Sequence, residues 1–398
     1  GSAPLARVTR RVEASFRAIS TADIRLQCGG ARDHWWILNA GARLGMLSAC
    51  TRTIGGISMW NNVEVRLMAG LIVFAVFGGW ASAQVNEEVN DRPDPYSMDQ
   101  SFFKLAAGRP IGSTAAMAVD PDGTSIWTFD RCGDNWCVGS DFAPIQKFDA
   151  SGNLVTSFGA NMFNRPHGIH IDPDGNVWVT DFEGPDGVDR RRDGKGHQVF
   201  KFSPEGDLLM TLGKAGVAGD GTDEFNKPSS VLVAPNGDIF VGDGHAGDSN
   251  ARIVKFSSDG TFIKTWGRKG TGPGEFETPH TMAMDSEGRL FVGDRRNGRV
   301  QIFDQDGNFI DEFNQFGQPA GMYIDGNDML YVADSSSNPD NPGWKEGIRI
   351  GSAKDGIVTT FIADPEGDGS QEGVVVDANG VIYGSLTGGM ALRRYVKN

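Results

Sequence analysis

Three residues able to bind a metal ion occupy the same position in a sequence pattern that occurs six times in this chain. Each copy closes its first strand with one aligned residue: Asp120, Asp172, Ala234, Asp285, Asp325 and Asp377. Five residues before these, the copies carry Ala115, His167, Ser229, His280, Ala320 and Glu372. Small residues therefore alternate with His167, His280 and Glu372. Two histidines and one glutamate form a ligand set found at catalytic zinc, with one position left for water or substrate.

A single Pro-His pair is also a tolerated turn feature and would not indicate a metal by itself. Two histidines in the same repeat frame, with a carboxylate completing the set, favour a metal site over that interpretation. We predict one divalent ion, with zinc as the expected metal. Calcium and manganese are the alternatives, because a carboxylate also suits harder cations.

The elements that must position these residues are short strands. In the copy FNRPHGIHIDPDGNVWVTD, apolar residues alternate with polar ones on both sides of the turn at 172–176. Five copies continue into a second hairpin, such as QVFKFSPEGDLLMTLG, and successive copies lie 40 to 62 residues apart. Four strands per repeat at this spacing are typical of a β-propeller. Because an isolated blade cannot bury both of its faces, the array must close, and we predict an all-β, six-bladed β-propeller.

The two ends of the predicted propeller complete one blade between them. The last repeat has a third strand at Leu392–Lys397 but no fourth one. The segment 101–105, SFFKL, lacks a partner of its own, so we predict that this N-terminal strand closes the last blade. The propeller then spans 101–398 and follows a linker at 84–100.

Propeller geometry also predicts which residues surround the metal. The first strand of each blade lines the central channel, and alternate blades lie about 120° apart, so the three ligands converge on the axis. Each hairpin returns to the face where it began, which places five residues at the same mouth: Arg131, Phe182, His245, Arg295 and Ser335. We predict that Arg131 and Arg295 bind a carboxylate or an oxyanion, and that His245 transfers a proton.

The first 83 residues do not follow the repeat. Residues 1–58 show no pattern and remain unassigned, either as an over-long leader or as a disordered extension. A signal peptide at 59–83 is predicted by Arg66, an apolar run at 67–80 and the Ala81-Ser82-Ala83 motif before Gln84. An uncleaved anchor is the alternative, although the run is shorter than the roughly 20 residues of a membrane span. We expect an exported protein, periplasmic or extracellular, without stable membrane insertion after processing.

Charge and cysteine content narrow the choice of partners and compartment. Residues 1–83 hold 9 of the 37 Lys and Arg and 4 of the 51 Asp and Glu, so the remaining chain has a net charge of −19. This charge disfavours nucleic acid and anionic membrane surfaces as partners. Cys132 and Cys137 lie close together, and in an exported protein we expect a disulfide, with free thiols or metal ligation as the alternatives. We expect a monomer.

Several stretches together resemble a known family. FNRPHGIHIDPDGNVWVTD, GHQVFKF, VGDGH, TWGRKGTGPGEF, TPHTMAMD and DRRNGRVQIFD look like the NHL-repeat propeller of peptidyl-α-hydroxyglycine α-amidating lyases, and resemble its bacterial exported relatives more closely still. The resemblance covers about residues 100–398. It implies a zinc ion held by three propeller histidines, a substrate flanked by Arg and Tyr, and cleavage of a C-terminal α-hydroxyglycine into a peptide amide and glyoxylate.

Four residues match the family's motifs by position. The resemblance assigns His167 in RPHG and His280 in TPHT to the first two zinc ligands. It assigns Arg131 in FDRCG to the substrate arginine, and Arg295 in GDRRNGR to the arginine of a second motif.

Two positions depart from the family's pattern. The third ligand's Pro-His-Asp is Gln371-Glu372-Gly373 here, which replaces the histidine and removes an acidic calcium ligand. The catalytic tyrosine of the family is His245 in GDGHAGD, which can also transfer protons but titrates in a different pH range.

These features predict a metal-dependent, lyase-like enzyme in which the metal is a Lewis acid. The expected substrate is an α-hydroxy amide, or carbinolamide, of a small molecule or a peptide C-terminus. A metal-dependent hydrolase or lactonase is one alternative, and a non-catalytic NHL binding propeller is another.

Overall fold

The computed structural model describes residues 88–337, 343–365 and 370–398. The predictions of an unassigned leader at 1–58 and a signal peptide at 59–83 lie outside these residues. Within the described ranges, none of the helices has the length and apolar character needed to cross a membrane.

The described residues form six antiparallel sheets of four strands each, the predicted six-bladed propeller. The first described strand is β1 (Tyr96–Asp99). Blade 1 contains β2 (Thr114–Val119), β3 (Ile126–Asp130), β4 (Ile145–Phe148) and β5 (Leu154–Phe158). Blade 2 contains β6 (Pro166–Ile171), β7 (Val177–Asp181), β8 (Gln198–Phe202) and β9 (Leu208–Leu212). Blade 3 contains β10 (Pro228–Val233), β11 (Ile239–Asp243), β12 (Arg252–Phe256) and β13 (Phe262–Trp266).

The second half of the ring repeats this order. Blade 4 contains β14 (Pro279–Met284), β15 (Leu290–Asp294), β16 (Arg299–Phe303) and β17 (Phe309–Phe313). Blade 5 contains β18 (Pro319–Ile324), β19 (Met329–Asp334), β20 (Gly347–Ser352) and β21 (Val358–Ala363). Blade 6 contains β22 (Gln371–Val376), β23 (Ile382–Leu386), β24 (Leu392–Lys397) and β1. Short 3-10 helices at Arg190–Arg192 and Arg295–Asn297 follow β7 and β15.

The repeated aspartate stabilises the turn between the first two strands of a blade. In blade 2, Asp172 accepts hydrogen bonds from the backbone N–H of Asn176 at 2.9 Å and from the indole N–H of Trp178 at 3.0 Å. Such side-chain acceptors satisfy turn backbone groups that the strands leave unpaired. Blade 3 lacks this arrangement, because Ala234 replaces the aspartate and Phe240 replaces the aromatic donor.

An N-terminal strand closes the last blade as predicted, but the strand is β1 and not the segment 101–105. It pairs antiparallel with β24, from Tyr96 opposite Lys397 to Asp99 opposite Arg394, and so lies within the predicted linker at 84–100. Within 101–105 the adjacent Phe102 and Phe103 are both buried, whereas exposure alternates along the outermost strand β5 of the next blade.

The two phenylalanines instead fill the seam between the last blade and the first. The ring of Phe103 lies 5.0 Å from that of Phe148 in blade 1 and 5.8 Å from that of Tyr383 in blade 6. Apolar clusters of this kind pack between neighbouring blades around the ring, so each sheet buries both faces.

Candidate metal centre

The three predicted metal ligands lie at irregular points of the first strands. The pairing of β6 with β7 shifts register between Pro166 and Ile169, which flank His167. Equivalent shifts occur at His280 in β14 and at Glu372 in β22. A bulged residue leaves the ladder and can turn its side chain in a new direction. The first strands of blades 1, 3 and 5 show the same shift, so the irregularity belongs to the repeat and is not confined to the ligand positions.

Four side chains converge there rather than three. One ligand atom from each of His167, His245, His280 and Glu372 lies within 4.8 Å of the others. Nε2 of His280 lies 3.2 Å from Oε1 of Glu372 and 3.3 Å from Nε2 of His245, and Nε2 of His167 lies 4.0 Å from the same carboxylate oxygen. His167, His280 and Glu372 are buried.

Backbone carbonyls orient both ligand histidines. Nδ1 of His167 lies 2.7 Å from the carbonyl oxygen of Ser229, and Nδ1 of His280 lies 2.7 Å from that of Ala320. Each Nδ1–H therefore donates to the next blade, which leaves the lone pair of Nε2 facing the axis, the usual arrangement of a metal-ligating histidine. Gly168 permits the close approach, because a Cβ there would lie 2.7 Å from the Ser229 oxygen.

The donor set fits a divalent metal. Nε2 of His167 is buried and makes no hydrogen bond within the described part of the chain, which is costly for a polar atom without a ligand. With both Nδ1 atoms donating outward, the Nε2 lone pairs of two histidines point toward one carboxylate. Acceptors at such distances repel one another, so this geometry favours a cation among them.

The electrostatics of the cluster agree with neutral imidazoles beside an ionised carboxylate. Burial, followed by the neighbouring His280, lowers the pKa of His167 well below its ordinary value. Burial also lowers the pKa of His280, with Arg295 as the next cause. Burial alone would raise the pKa of Glu372, but the positive charge of the neighbouring Arg295 helps to hold it well below its usual range.

His245 was predicted as a proton-transfer group, and the structure places its ring inside the potential ligand set. The ring lies 4.6 Å from Phe182, while its backbone N–H donates to Ser249 Oγ at 3.0 Å. Burial and the two histidines His167 and His280 lower the pKa of His245 well below its ordinary value. The neutral ring can thus accept a proton from a bound molecule or act as a fourth ligand.

The predicted arginines lie beside the cluster. Nη1 of Arg295 is 3.2 Å from Oε1 of Glu372, and the following Gly298 ends the short helix with φ 62°. Arg131 donates through Nε to the carbonyl of Pro166 at 3.0 Å, and through Nη1 to Asn135 Oδ1 at 2.6 Å. The strand that carries His167 therefore also holds Arg131 in place. Burial lowers the pKa of Arg131 to about 10, which leaves it cationic at neutral pH.

The five residues expected at the mouth line one cavity of about 320 Å³ above the cluster. They are Arg131, Phe182, His245, Arg295 and Ser335. Glu372 lines it as well, so the ligand cluster opens directly into the space that a bound molecule would fill. Return of each hairpin to its starting face is the physical reason that they meet.

A disulfide joins Cys132 and Cys137, as predicted, directly after Arg131. The backbone N–H of Cys137 donates to the carbonyl of Asn164 at 2.9 Å, which ties this loop to the segment that precedes β6. The loop also carries Trp136, whose ring lies below the guanidinium of Arg165 at 4.5 Å.

Sequence reasoning missed three contributors to the site. The carbonyls of Ser229 and Ala320 orient the histidines, whereas the sequence shows these positions only as small residues between the ligands. Arg165 also lines the cavity. Its position directly before Pro166-His167 was the signal in the sequence that pointed toward the site.

Comparison with known proteins agrees with the repeat pattern. The NHL repeat family matches residues 163–184 and 276–303, which contain His167, His280 and Arg295. NHL repeat-containing protein 3 of Mus musculus is 30% identical over 255 residues, which cover 60% of this chain and 68% of that protein.

Two enzymes are also similar in sequence. Peptidyl-glycine alpha-amidating monooxygenase A of Xenopus laevis is 31% identical over 303 residues, covering 69% of this chain and 30% of that protein. Peptidyl-alpha-hydroxyglycine alpha-amidating lyase 1 of Drosophila melanogaster is 38% identical over 178 residues, covering 42% of this chain and 30% of that protein. The matched part of the chain thus spans about a third of the length of these two relatives.

Among solved structures, the fold is similar to that of a gluconolactonase from Xanthomonas campestris. The TM-score is 0.51 at 15% sequence identity, and the match covers 78% of this chain and 99% of the other. At this level of identity, the similarity concerns the propeller fold alone.

Proposed function

The chain belongs to the NHL-repeat β-propellers homologous to the peptidyl-α-hydroxyglycine α-amidating lyases, and we propose that it is a metal-dependent, lyase-like enzyme. The substrate is a carbinolamide at a peptide C-terminus or in a small molecule. One observation carries the proposal: two histidines with fixed Nδ1–H donors direct Nε2 at Glu372, beneath a cavity that contains Arg131 and Arg295.

His167, His280 and Glu372 would hold the metal, and His245 lies close enough to join them. A divalent ion in this position supplies Lewis acidity toward a substrate oxygen, and zinc suits the donor set. The carboxylate of Glu372 also accepts from Arg295, which limits its freedom to rotate away from the two histidines.

The residues of the chain can perform the proton transfers of carbinolamide cleavage. Nε2 of His245 accepts the proton of the substrate hydroxyl as the carbon–nitrogen bond breaks, and returns it to the amide nitrogen that leaves. The products are an amide and an aldehyde, so the reaction needs no further reactant. Arg131 and Arg295 orient the substrate carboxylate and stabilise the charge that develops on oxygen.

A metal-dependent hydrolase or lactonase is the second candidate, and Glu372 favours it. Two histidines and one glutamate are the ligand set of zinc hydrolases, whereas the resemblance to the lyases implies three histidines. In that reaction His245 would accept a proton from water instead of from a substrate hydroxyl.

We also propose that the protein is exported to the periplasm or the extracellular space and that its leader is cleaved before Gln84. We propose that the processed protein is a monomer. The disulfide between Cys132 and Cys137 supports an oxidising compartment.

The test combines metal analysis with product analysis on the purified protein. We expect one divalent ion per chain, and release of glyoxylate from a peptidyl-α-hydroxyglycine that is lost after chelation and restored by zinc. Hydrolysis of lactones without glyoxylate release would select the second candidate. A protein that binds no metal and turns over neither substrate class would refute both.

A further inference from the structure

Arg165 lies at the rim of the cavity and is held mainly by aromatic rings. Its guanidinium carbon lies 4.5 Å from the ring centre of Trp136 and 5.2 Å from that of Phe182. Arg192 covers Trp136 as well, at 3.8 Å. Stacked guanidinium groups of this kind are oriented while their charge remains available to a ligand.

The contacts of Arg165 with acceptors are long. Nη1 lies 3.7 Å from Oε1 of Glu183, an oxygen that Lys227 also approaches at 3.6 Å. Nη2 lies 3.5 Å from Oδ1 of Asn135, and Nε is buried without a hydrogen-bond partner in the described residues. At this distance the partly exposed pair of Arg165 and Glu183 neutralises little of the charge of Arg165.

Positive charge therefore exceeds negative charge at the mouth of an otherwise acidic protein. Among the residues that line the cavity, Arg131, Arg165 and Arg295 are cationic and Glu372 is the carboxylate. Arg131 and Arg165 share one acceptor, Oδ1 of Asn135, at 2.6 Å and 3.5 Å. The mutual repulsion of neighbouring guanidiniums contributes to the lowered pKa of Arg131. An anionic ligand would relieve this repulsion.

Arg165 is also more exposed than Arg295. Its side chain is 22% exposed, whereas that of Arg295, which contacts Glu372, is 10% exposed. The amide nitrogen of Asn135 makes no hydrogen bond with any described residue, so a second donor is available beside Arg165.

We propose that Arg165 and Asn135 form a second anion subsite, which selects substrates with an acidic side chain directly before the reacting C-terminal unit. The nature of the reacting C-terminal unit, a carbinolamide, rests on the proposed function. A carboxylate matches the paired donors of a guanidinium, and a side chain of Asp or Glu is the carboxylate that a peptide offers at this place.

Binding of two uncleavable peptides to the metal-loaded protein tests the subsite. The peptides end in Glu-Gly and Gln-Gly and are otherwise identical, and calorimetry measures both affinities. We expect about tenfold tighter binding of the Glu-Gly peptide, as for a charge-assisted hydrogen bond in a partly exposed site. Arg165→Gln should reduce this preference to twofold or less.

Two further variants test whether the preference for the Glu-Gly peptide depends on this subsite. Arg191→Gln removes the same charge from an exposed position where Arg191 pairs with Asp189, and should leave the preference unchanged. Asn135→Asp places a carboxylate between the guanidiniums of Arg131 and Arg165 and should abolish the preference while Arg165 remains. This variant keeps the proposal testable if Arg165→Gln does not fold.

Measuring the turnover of hydroxyglycine peptides then distinguishes failure of the subsite proposal from failure of the proposed function. A preference for Glu-Gly that depends on Arg165, in a protein that does not cleave hydroxyglycine peptides, supports the subsite and refutes the lyase activity. Cleavage without any preference refutes the subsite alone. Equal binding of the two peptides by the unmodified protein, or a preference that survives both site variants, would overturn the inference.

Discussion

Nδ1 of His167 lies 2.7 Å from the carbonyl oxygen of Ser229, the residue at the matching position of the next blade. The same relationship links His280 to Ala320 in blades 4 and 5. The small residues between the predicted ligands thus orient these rings, since their backbone oxygens determine which ring nitrogen faces the axis.

The first prediction concerns metal content. Alanine in place of His167, His280 or Glu372 should weaken metal binding by at least tenfold, because each removes one of the few ligands. Ser229→Ala is the matched control: it keeps the carbonyl that orients His167 and loses only the contacts of Oγ with the carbonyls of Pro279 and Gly242, at a cost of about 1 kcal/mol in stability. Elemental analysis after dialysis measures the effect. Unchanged metal content in a His167→Ala, His280→Ala double variant would contradict the assignment.

The second prediction concerns Glu372→His, which restores a three-histidine set. The metal should be retained, but the free energy of unfolding should fall because Arg295 loses the carboxylate that it contacts at 3.2 Å. Metal analysis and chemical denaturation of the same sample test both parts. Loss of the metal with unchanged stability would be the opposite result.

The third prediction separates proton transfer from ligation at His245. If His245 transfers the proton, His245→Ala should lower kcat by about 100-fold or more while one metal ion per chain remains. His245→Tyr should recover part of the rate, with the acidic limb of the pH–rate profile moved upward, because a base must be deprotonated to act and a phenol titrates near pH 10. Metal loss in both variants would assign His245 as a fourth ligand instead.

The fourth prediction concerns the disulfide. Because the bond closes a loop with a sequence separation of only 5, the double variant Cys132→Ser, Cys137→Ser should lose about 2 kcal/mol of stability. KM should rise more than kcat falls, since the loop holds Asn135 next to Arg131. Mass spectrometry without reductant should show the native protein two hydrogens lighter than the reduced form. Two alkylatable thiols in the native protein would argue against the bond.

The fifth prediction concerns Asp181, a fully buried carboxylate at the end of β7. Burial raises its pKa from 3.8 to about 7, although the backbone N–H groups of Asn164 and Arg165 donate to it. The folded state therefore binds more protons than the unfolded state between these values, so stability should fall as the pH rises from about 4 to 7, by up to about 4 kcal/mol.

Asp181→Asn should remove most of this pH dependence, measured as the free energy of unfolding at pH 4 and at pH 7.5. Asp189→Asn is a suitable control because Asp189 is paired with Arg191 near the surface, and its hydrogen bonds with that arginine lower its pKa to about 2. A pH dependence that persists in Asp181→Asn would show that another group is responsible.

The architecture, and the side of the channel on which the site lies, can be predicted from the residue pattern alone. The common repeat frame places His167, His280 and Glu372 at one level of the channel, although each lies at a register shift that interrupts the strand's alternation. The return of each hairpin to its starting face likewise predicted the positions of Arg131 and Arg295. These are local consequences of the chain's pattern, so they could be derived without knowing how the blades pack.

Features that depend on the distances between blades could not be predicted from the residue pattern. The choice of β1 over 101–105 as the closing strand depends on where Phe102 and Phe103 find space between the last blade and the first. His245 lies within the potential ligand set, and Arg165 stacks on Trp136. Both contacts are between residues from different blades or loops. A periodic pattern fixes the direction of a side chain, but the ångström-scale separation of two blades follows from the packing of the whole ring.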